Sequence, residues 1–219
     1  MIVVKFNIIL RAMKVFVSIV IGYLFGSIPM GYILGKLKGV DITQEGFRKI
    51  GASNVYKVLG VQYAVFVFIF DFAKGVLMVL FSIKCLGIPV QTAFLSGIAA
   101  ICGHNWPIWL KFKGHGRGVA TSLGLLFYLL PDVTFKVFII FVIITLIFRS
   151  SAPATPVLFL LMPIATWLYK KPVWLLYFTL SLLLIFLAAR IIGGIESIKK
   201  SPAKLRTFLD IIIWDKPIV

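Results

Sequence analysis

The chain has 219 residues, of which 61% are apolar and only 14% charged, with a mean hydropathy of +1.06. That is too much apolar surface for one water-facing core and too few charges to solvate an exterior, so a soluble domain, a disordered chain and a disulfide scaffold are excluded. What remains is a polytopic membrane protein. Its net charge of +16 predicts contact with anionic lipid headgroups, or with a phosphorylated small substrate, rather than with nucleic acid.

The first predicted element is Val15–Gly35. Its lead-in (Lys5, Arg11, Lys14) and apolar run resemble a signal peptide, but the run continues through Gly35 without a small-residue cleavage site. It therefore reads as an uncleaved first helix. About 20 apolar residues are needed to cross the hydrocarbon. Further candidate spans are Val61–Phe81, Ile88–Leu110, Val119–Leu130, Val133–Phe148, Thr155–Tyr169 and Val173–Gly193. The count is seven, or five or six if short runs such as Val119–Leu130 cross only in part. Open sheets cannot cross, and these runs lack the alternation of barrel strands, so the fold class is an all-α membrane bundle.

With seven spans and the N-terminus outside, 15 Lys and Arg fall on the cytoplasmic side and 7 on the outer side. The opposite orientation inverts that ratio, so an N-out, C-in topology is expected. In the tail, Ser201-Pro202 reads as a capping hydroxyl followed by proline at the first helical position. Leu205, Phe208, Leu209, Ile212 and Ile213 then share one helical face. A short amphipathic helix over 201–214 is expected, either lying on the cytoplasmic leaflet or packed on the bundle. No repeat or low-complexity segment divides residues 1–219, which read as a single integral-membrane domain. Cys85 and Cys102 read as small hydrophobes.

Two polar, glycine-rich segments stand out, and the expected topology places both on the cytoplasmic side. The first comprises Gly26-Ser27-Ile28-Pro29-Met30-Gly31, then Lys36 to Ile42, then Gly51-Ala52-Ser53-Asn54. Pro29 cannot donate to the helix ladder, so the turn around Ser27 should open and leave a hydroxyl beside a broken turn. Gly22/Gly26 and Gly31/Gly35 also suit close helix packing.

The second segment runs Gly103-His104-Asn105-Trp106-Pro107, then Phe112-Lys113-Gly114-His115-Gly116-Arg117-Gly118-Val119-Ala120-Thr121-Ser122. Alternate glycines let backbone approach a ligand closely. A helix beginning near Val119 would present free N–H groups and the positive end of its dipole, with the Arg117 fork beside it, an arrangement that suits phosphate. The spacing is not that of a Walker A loop. His104 and His115 are not spaced with carboxylates or cysteines as metal ligands would be, and no metal or cofactor is expected. Asp71 and Lys74, three apart in a span, are expected to pair.

At these residues the sequence resembles the PlsY family, the bacterial acyl-phosphate:glycerol-3-phosphate acyltransferases. The resemblance runs through Gly26 to Pro29, Lys36 to Ile42, Gly51 to Asn54, Asp71-Phe72-Ala73-Lys74-Gly75, Gly103 to Pro107, Gly116 to Gly124, and Arg190–Gly194–Glu196. It implies seven helices, N-out and C-in, in a bacterial inner membrane with a cytoplasmic-side site. It also implies transfer of a fatty acyl group from acyl phosphate to the 1-hydroxyl of glycerol 3-phosphate, giving lysophosphatidic acid for phospholipid synthesis. Membrane lipids and the enzyme that makes acyl phosphate are the implied partners. No protein nucleophile is assigned. Ser27, Asn54, Gly116, Arg117, Gly118 and Thr121 match substrate-binding positions. His104, Asn105, Asp71, Lys74, Arg190 and Glu196 fall near the site.

The sequence also departs from the family pattern. Thr43 stands for an arginine, Phe47 for a serine, Ala152 for a serine and Leu184 for a histidine, and His115 is an extra residue in the glycine segment. Arg48 and Lys49 are candidates to replace the lost arginine, and Ser151 the lost serine. These changes keep open a second reading, a paralogue with impaired activity that acts on another acceptor or serves as a lipid-binding regulator. A transporter is a third reading, with only Asp71 and Lys74 as intramembrane charges to support it.

Overall fold

The computed structural model describes residues 2–113 and 116–215 and contains helices and no strand among them. The helices are α1 (Ile2–Gly26), α2 (Met30–Leu37), α3 (Ala52–Leu59), α4 (Val61–Lys84), α5 (Val90–Asn105), α6 (Val119–Leu129), α7 (Pro131–Phe148), α8 (Ser151–Leu168), α9 (Val173–Lys200) and α10 (Lys204–Trp214). Five helical stretches are long and apolar enough to cross a bilayer: Phe6–Leu37, Val61–Lys84, Pro131–Phe148, Ser151–Leu168 and Val173–Lys200. At 1.5 Å per residue, the 16 residues of α5 reach about 24 Å and the 11 of α6 about 17 Å, short of a hydrocarbon core of about 30 Å.

Several boundaries differ from the sequence expectation, and three of them have a local cause. The first helix starts at Ile2 rather than Val15, because the interspersed Lys5, Arg11 and Lys14 break the hydropathy without breaking the helix. The third expected span, Ile88–Leu110, ends at Asn105, since Pro107 forbids helix at the residue before it and only one 3-10 turn, Ile108–Leu110, follows. The tail helix begins at Lys204 with no side-chain cap. The Ser201 hydroxyl instead accepts from the Ala203 N–H (3.2 Å) and from the Thr207 hydroxyl (2.6 Å).

The chain divides into two compact units, Met1–Leu125 and Leu126–Val219. In the first, α1 lies against α5 at glycines. Gly22 faces the Ser96 carbonyl, Gly26 the Ala100 carbonyl and Gly103 the Tyr23 carbonyl, each so close that a Cβ would collide. Without a hydrophobic force between helices in lipid, such backbone contact is what holds them. The other glycine pair does something different. Gly31 abuts Ile50 and Val55, and Gly35 abuts Val40 and Ile42, so that face receives the following loop rather than a helix. Ser82 and Ser96 link α4 and α5 by a 2.8 Å hydroxyl bond, both also bonding the Met78 carbonyl. Gly75 of α4 and Gly124 of α6 seat reciprocally on the Thr121 and Phe72 carbonyls.

In the second unit α7 and α8 are antiparallel neighbours. Phe148 and Ser151 bound the turn at one end, and an Asp132–Lys171 ion pair of 2.7 Å lies at the other. The Phe159 and Phe186 rings stack at 4.8 Å between α8 and α9. The tail helix packs inward through Thr207 and Ile211, and Ile211 fills the space left by Gly194. Its apolar stripe, with Leu205, Phe208, Leu209 and Ile213, remains exposed.

Candidate functional site

The loop after α2 is built around two side chains. Asp41 accepts from the Lys36 ammonium (2.8 Å) and from the Thr43 hydroxyl (2.6 Å) and N–H (3.0 Å). First Lys36 and then Thr43 hold its carboxyl down to about 2. Asn54 is fully buried. Its amide donates to the carbonyls of Ile42 (2.8 Å), Glu45 (3.2 Å) and Lys49 (2.7 Å), and its oxygen accepts from the Phe47 N–H (2.5 Å). Gly46, at φ +61°, brings backbone against that oxygen. Asn54 is thus the knot of the loop, and both ends of its amide are engaged there.

Arg48, on this loop, is exposed and sits at φ +56°. Such a backbone costs an L-residue about 1–2 kcal/mol. Among the described residues its guanidinium has no carboxylate partner. Lys49 beside it is half-buried.

Pro29 opens the chain between α1 and α2 as the sequence predicts. Lys74, fully buried on α4, donates to the Gly26 (3.3 Å) and Ile28 (2.5 Å) carbonyls at this break and pairs with Asp71 at 2.9 Å. Ser27, also fully buried, donates to the Tyr23 carbonyl (2.8 Å) and lies on Gly103, leaving its oxygen lone pairs as acceptors. The Tyr23 hydroxyl donates to the Trp106 carbonyl at 2.6 Å, so the break and the end of α5 share one end of this unit. His104 Nδ1 stands 3.4 Å from Asp71, at ion-pair distance but outside hydrogen-bond geometry.

The glycine segment completes the group. Gly116 is buried against the His104 carbonyl and imidazole edge, Arg117 is half-buried, and Gly118 at φ +63° lies against the Asn105 amide. Val119 then starts α6, whose first N–H groups have no partner within the helix. Thr121 is fully buried in that first turn. The expected insertion at His115, with Gly114, lies outside the described residues.

Ser27, Asp71, Lys74, His104, Asn105, Gly116, Arg117, Gly118 and Thr121 therefore form one connected set, while Arg48 and Lys49 lie on the loop after α2 that Asn54 of α3 ties together. Ser151, Arg190 and Glu196 belong to the second unit. Ser151 is the first residue of α8, capped by Ser150, whose hydroxyl oxygen accepts from the Ala152 N–H at 3.2 Å. Arg190 is buried, donating to the carbonyls of Ile211 (3.0 Å) and Ala152 (3.1 Å), with Asp215 at 3.7 Å. Glu196 is exposed, with Lys199 at 3.8 Å, a pairing too solvated to matter much. Sequence reasoning missed Tyr23, whose only signal was a hydroxyl-bearing ring in an apolar run three residues before Gly26.

The arrangement can hold an anion at the start of α6 through backbone N–H groups, the Thr121 hydroxyl and the Arg117 cation. Among the described residues it shows no nucleophile paired with a base.

The family model described as "Glycerol-3-phosphate acyltransferase" matches residues 16–199. A glycerol-3-phosphate acyltransferase of Aquifex aeolicus is 41% identical over 128 residues, 58% of this chain and 66% of the relative. Glycerol-3-phosphate acyltransferase 5 of Dehalococcoides mccartyi is 46% identical over 111 residues, 50% of this chain and 47% of the relative. These matches span about half to two thirds of the relatives' length. Crystal structures of PlsY (YgiH), an integral membrane glycerol 3-phosphate acyltransferase, also match. Its glycerol 3-phosphate form has a TM-score of 0.69 at 33% identity, covering 85% of this chain and 90% of that one. Its lysophosphatidic acid form has a TM-score of 0.72 at 30% identity, covering 89% and 98%.

Proposed function

The chain belongs to the glycerol-3-phosphate acyltransferase family, and on that premise we propose that it transfers a fatty acyl group from acyl phosphate to the 1-hydroxyl of glycerol 3-phosphate. The product is lysophosphatidic acid, for phospholipid synthesis. The observation that carries this reading is the Gly116-Arg117-Gly118 turn entering α6, backed by the buried Asp71–Lys74 pair and His104.

In the proposed reaction the 1-hydroxyl oxygen attacks the acyl carbonyl carbon and forms the new C–O bond. The carbonyl-carbon bond to the phosphate oxygen breaks, and phosphate leaves with the electron pair. The hydroxyl proton passes to a substrate phosphate. Acyl phosphate is an activated anhydride, so positioning and charge stabilisation supply what the step needs. Gly116, Arg117, Gly118 and Thr121 hold the acyl phosphate head. Arg48 supports a grip on glycerol 3-phosphate, because it is the exposed guanidinium of a loop whose position 43 carries a threonine turned onto Asp41. Lys49 assists, Ser27 offers acceptor lone pairs, and Asn54 acts by fixing the loop.

We further take the topology as seven membrane-embedded helices, the short α5 and α6 among them, N-out and C-in, in a bacterial inner membrane with the site toward the cytoplasm. Both units form one acyltransferase domain, and acyl phosphate comes from a separate enzyme. The stripe Leu205, Phe208, Leu209, Ile213 opposite the docked face of α10 fits a helix at the leaflet boundary, beside Lys204 and Arg206.

The test is turnover of palmitoyl phosphate and glycerol 3-phosphate by purified protein, following phosphate and lysophosphatidic acid in parallel. Both should appear at equal rates and fall at least tenfold in Arg48→Ala. Phosphate release without lysophosphatidic acid, or no turnover, contradicts the reading.

A further inference from the structure

Two polar side chains at the start of α6 are buried without partners. Asn105, the last residue of α5, is fully buried, and neither its Nδ2 nor its Oδ1 has a hydrogen-bond partner among the described residues. Thr121 is fully buried with its Oγ1 in the same state. Buried amides and hydroxyls are paired in stable proteins, since the desolvation of an unpaired group is uncompensated. In this unit the buried hydroxyls of Ser18, Ser27, Ser82 and Ser96 donate to carbonyls three or four residues back. Asn105 and Thr121 are exceptions that call for something outside the chain.

Their placement says what. Gly118, in a left-handed conformation, lies against both polar atoms of the Asn105 amide, 2.9 Å from Oδ1 and 3.4 Å from Nδ2 when measured from an ideal Cβ position. Gly118 leads directly into α6, and Thr121 is the third residue of that helix. The unpaired amide thus lies against the residue that leads into α6, and the unpaired hydroxyl sits in that helix's first turn, with its free N–H groups. An anion alone would pair the Nδ2 and the hydroxyl but leave the Oδ1 acceptor empty. A carboxamide free at both ends suits a place where an acceptor oxygen and a hydroxyl donor meet.

We propose that Asn105 is a further substrate-binding residue beside Thr121, its Nδ2 donating with the Thr121 hydroxyl to the oxygens of the acyl phosphate head and its Oδ1 accepting from the hydroxyl that is acylated. Asn105 then spans the two reactants. This rests on the acyltransferase reading above.

The test uses purified Asn105→Leu and Thr121→Val, near-isosteric changes that delete the polar atoms. Three quantities are read: thermal stability without ligand, affinity for a non-hydrolysable acyl phosphonate, and KM for glycerol 3-phosphate. Both variants are expected to match or exceed wild-type stability without ligand, and to bind the phosphonate at least tenfold more weakly. Only Asn105→Leu should also raise KM for glycerol 3-phosphate, by tenfold or more. A loss of ligand-free stability in both variants with unchanged phosphonate affinity would identify an ordered water as the partner and overturn the proposal. Wild-type turnover with either variant unaltered in phosphonate affinity sinks this proposal and spares the acyltransferase reading. A wild type that neither binds the phosphonate nor turns over sinks both.

Discussion

Arg190 donates to the carbonyl of Ala152, the group that Pro156, four residues on and lacking an N–H, leaves without its helical partner. The same guanidinium takes the carbonyl of Ile211 in the last turn of α10, which also accepts from the Asp215 N–H at 3.1 Å. Gly194, one turn further along α9, makes room for the Ile211 side chain. One buried cation therefore closes the helix defect at Ala152 and docks the tail through Ile211. Lys74 does comparable work on the carbonyls of Gly26 and Ile28 at the break before Pro29.

Arg190→Met should cost about 1–3 kcal/mol, because it strands the Ala152 carbonyl and loosens the tail at Ile211. Pro156→Ala restores a donor to Ala152, so the double variant should recover part of that loss. Thermal unfolding in detergent checks this. A double variant no better than Arg190→Met would mean that the Ala152 carbonyl is not what the arginine serves.

Gly75→Ala places a methyl on the Thr121 carbonyl and should cost about 1–3 kcal/mol through overpacking, with a loss of turnover as the first turn of α6 shifts. Gly39→Ala has open space and only its left-handed φ of +73° against it. Its cost should be about 1 kcal/mol with turnover retained. Equal losses in the two variants would show that the α4–α6 contact does not set the geometry of the site.

Asp41 carries the pH dependence of the loop. Its carboxyl is lowered to about 2 from an ordinary 3.8, so the stabilisation it gives is complete above pH 4 and is lost as pH falls through 2. Lys36→Met removes the largest cause and should move that loss toward pH 3.8. The chemical shift of the Thr43 amide, followed from pH 6 to pH 2, reports it. An unchanged midpoint in the variant would mean that Lys36 does not hold the carboxylate.

Much of this was legible in the sequence. Pro29 announced the break, Gly22 and Gly26 the close contact with another helix, and the three-residue spacing of Asp71 and Lys74 their ion pair. Hydropathy found the seven apolar runs. Less legible was anything decided by contacts between distant residues. Asn54 read as a substrate ligand, because an asparagine in a polar motif carries no sign that four loop backbone groups will converge on it. Arg190 read as a near-site charge. Pro156 marks an unpaired carbonyl at Ala152, but nothing local says which side chain will fill it. Gly31 and Gly35 have the spacing of a helix-packing pair, yet a loop returns over them. The 201–202 cap failed because Ser201 found Thr207, six residues away.

The central claim is that the Arg117 loop and the start of α6 hold the head of an acyl phosphate. The direct measurement is titration of a non-hydrolysable acyl phosphonate into wild-type and Arg117→Ala protein in nanodiscs, followed by phosphorus NMR. Saturable binding by the wild type, weakened by about 10- to 150-fold in the variant, is the predicted result, equivalent to losing one charge-assisted hydrogen bond of about 1.5–3 kcal/mol. Equal affinity in the two proteins would contradict it.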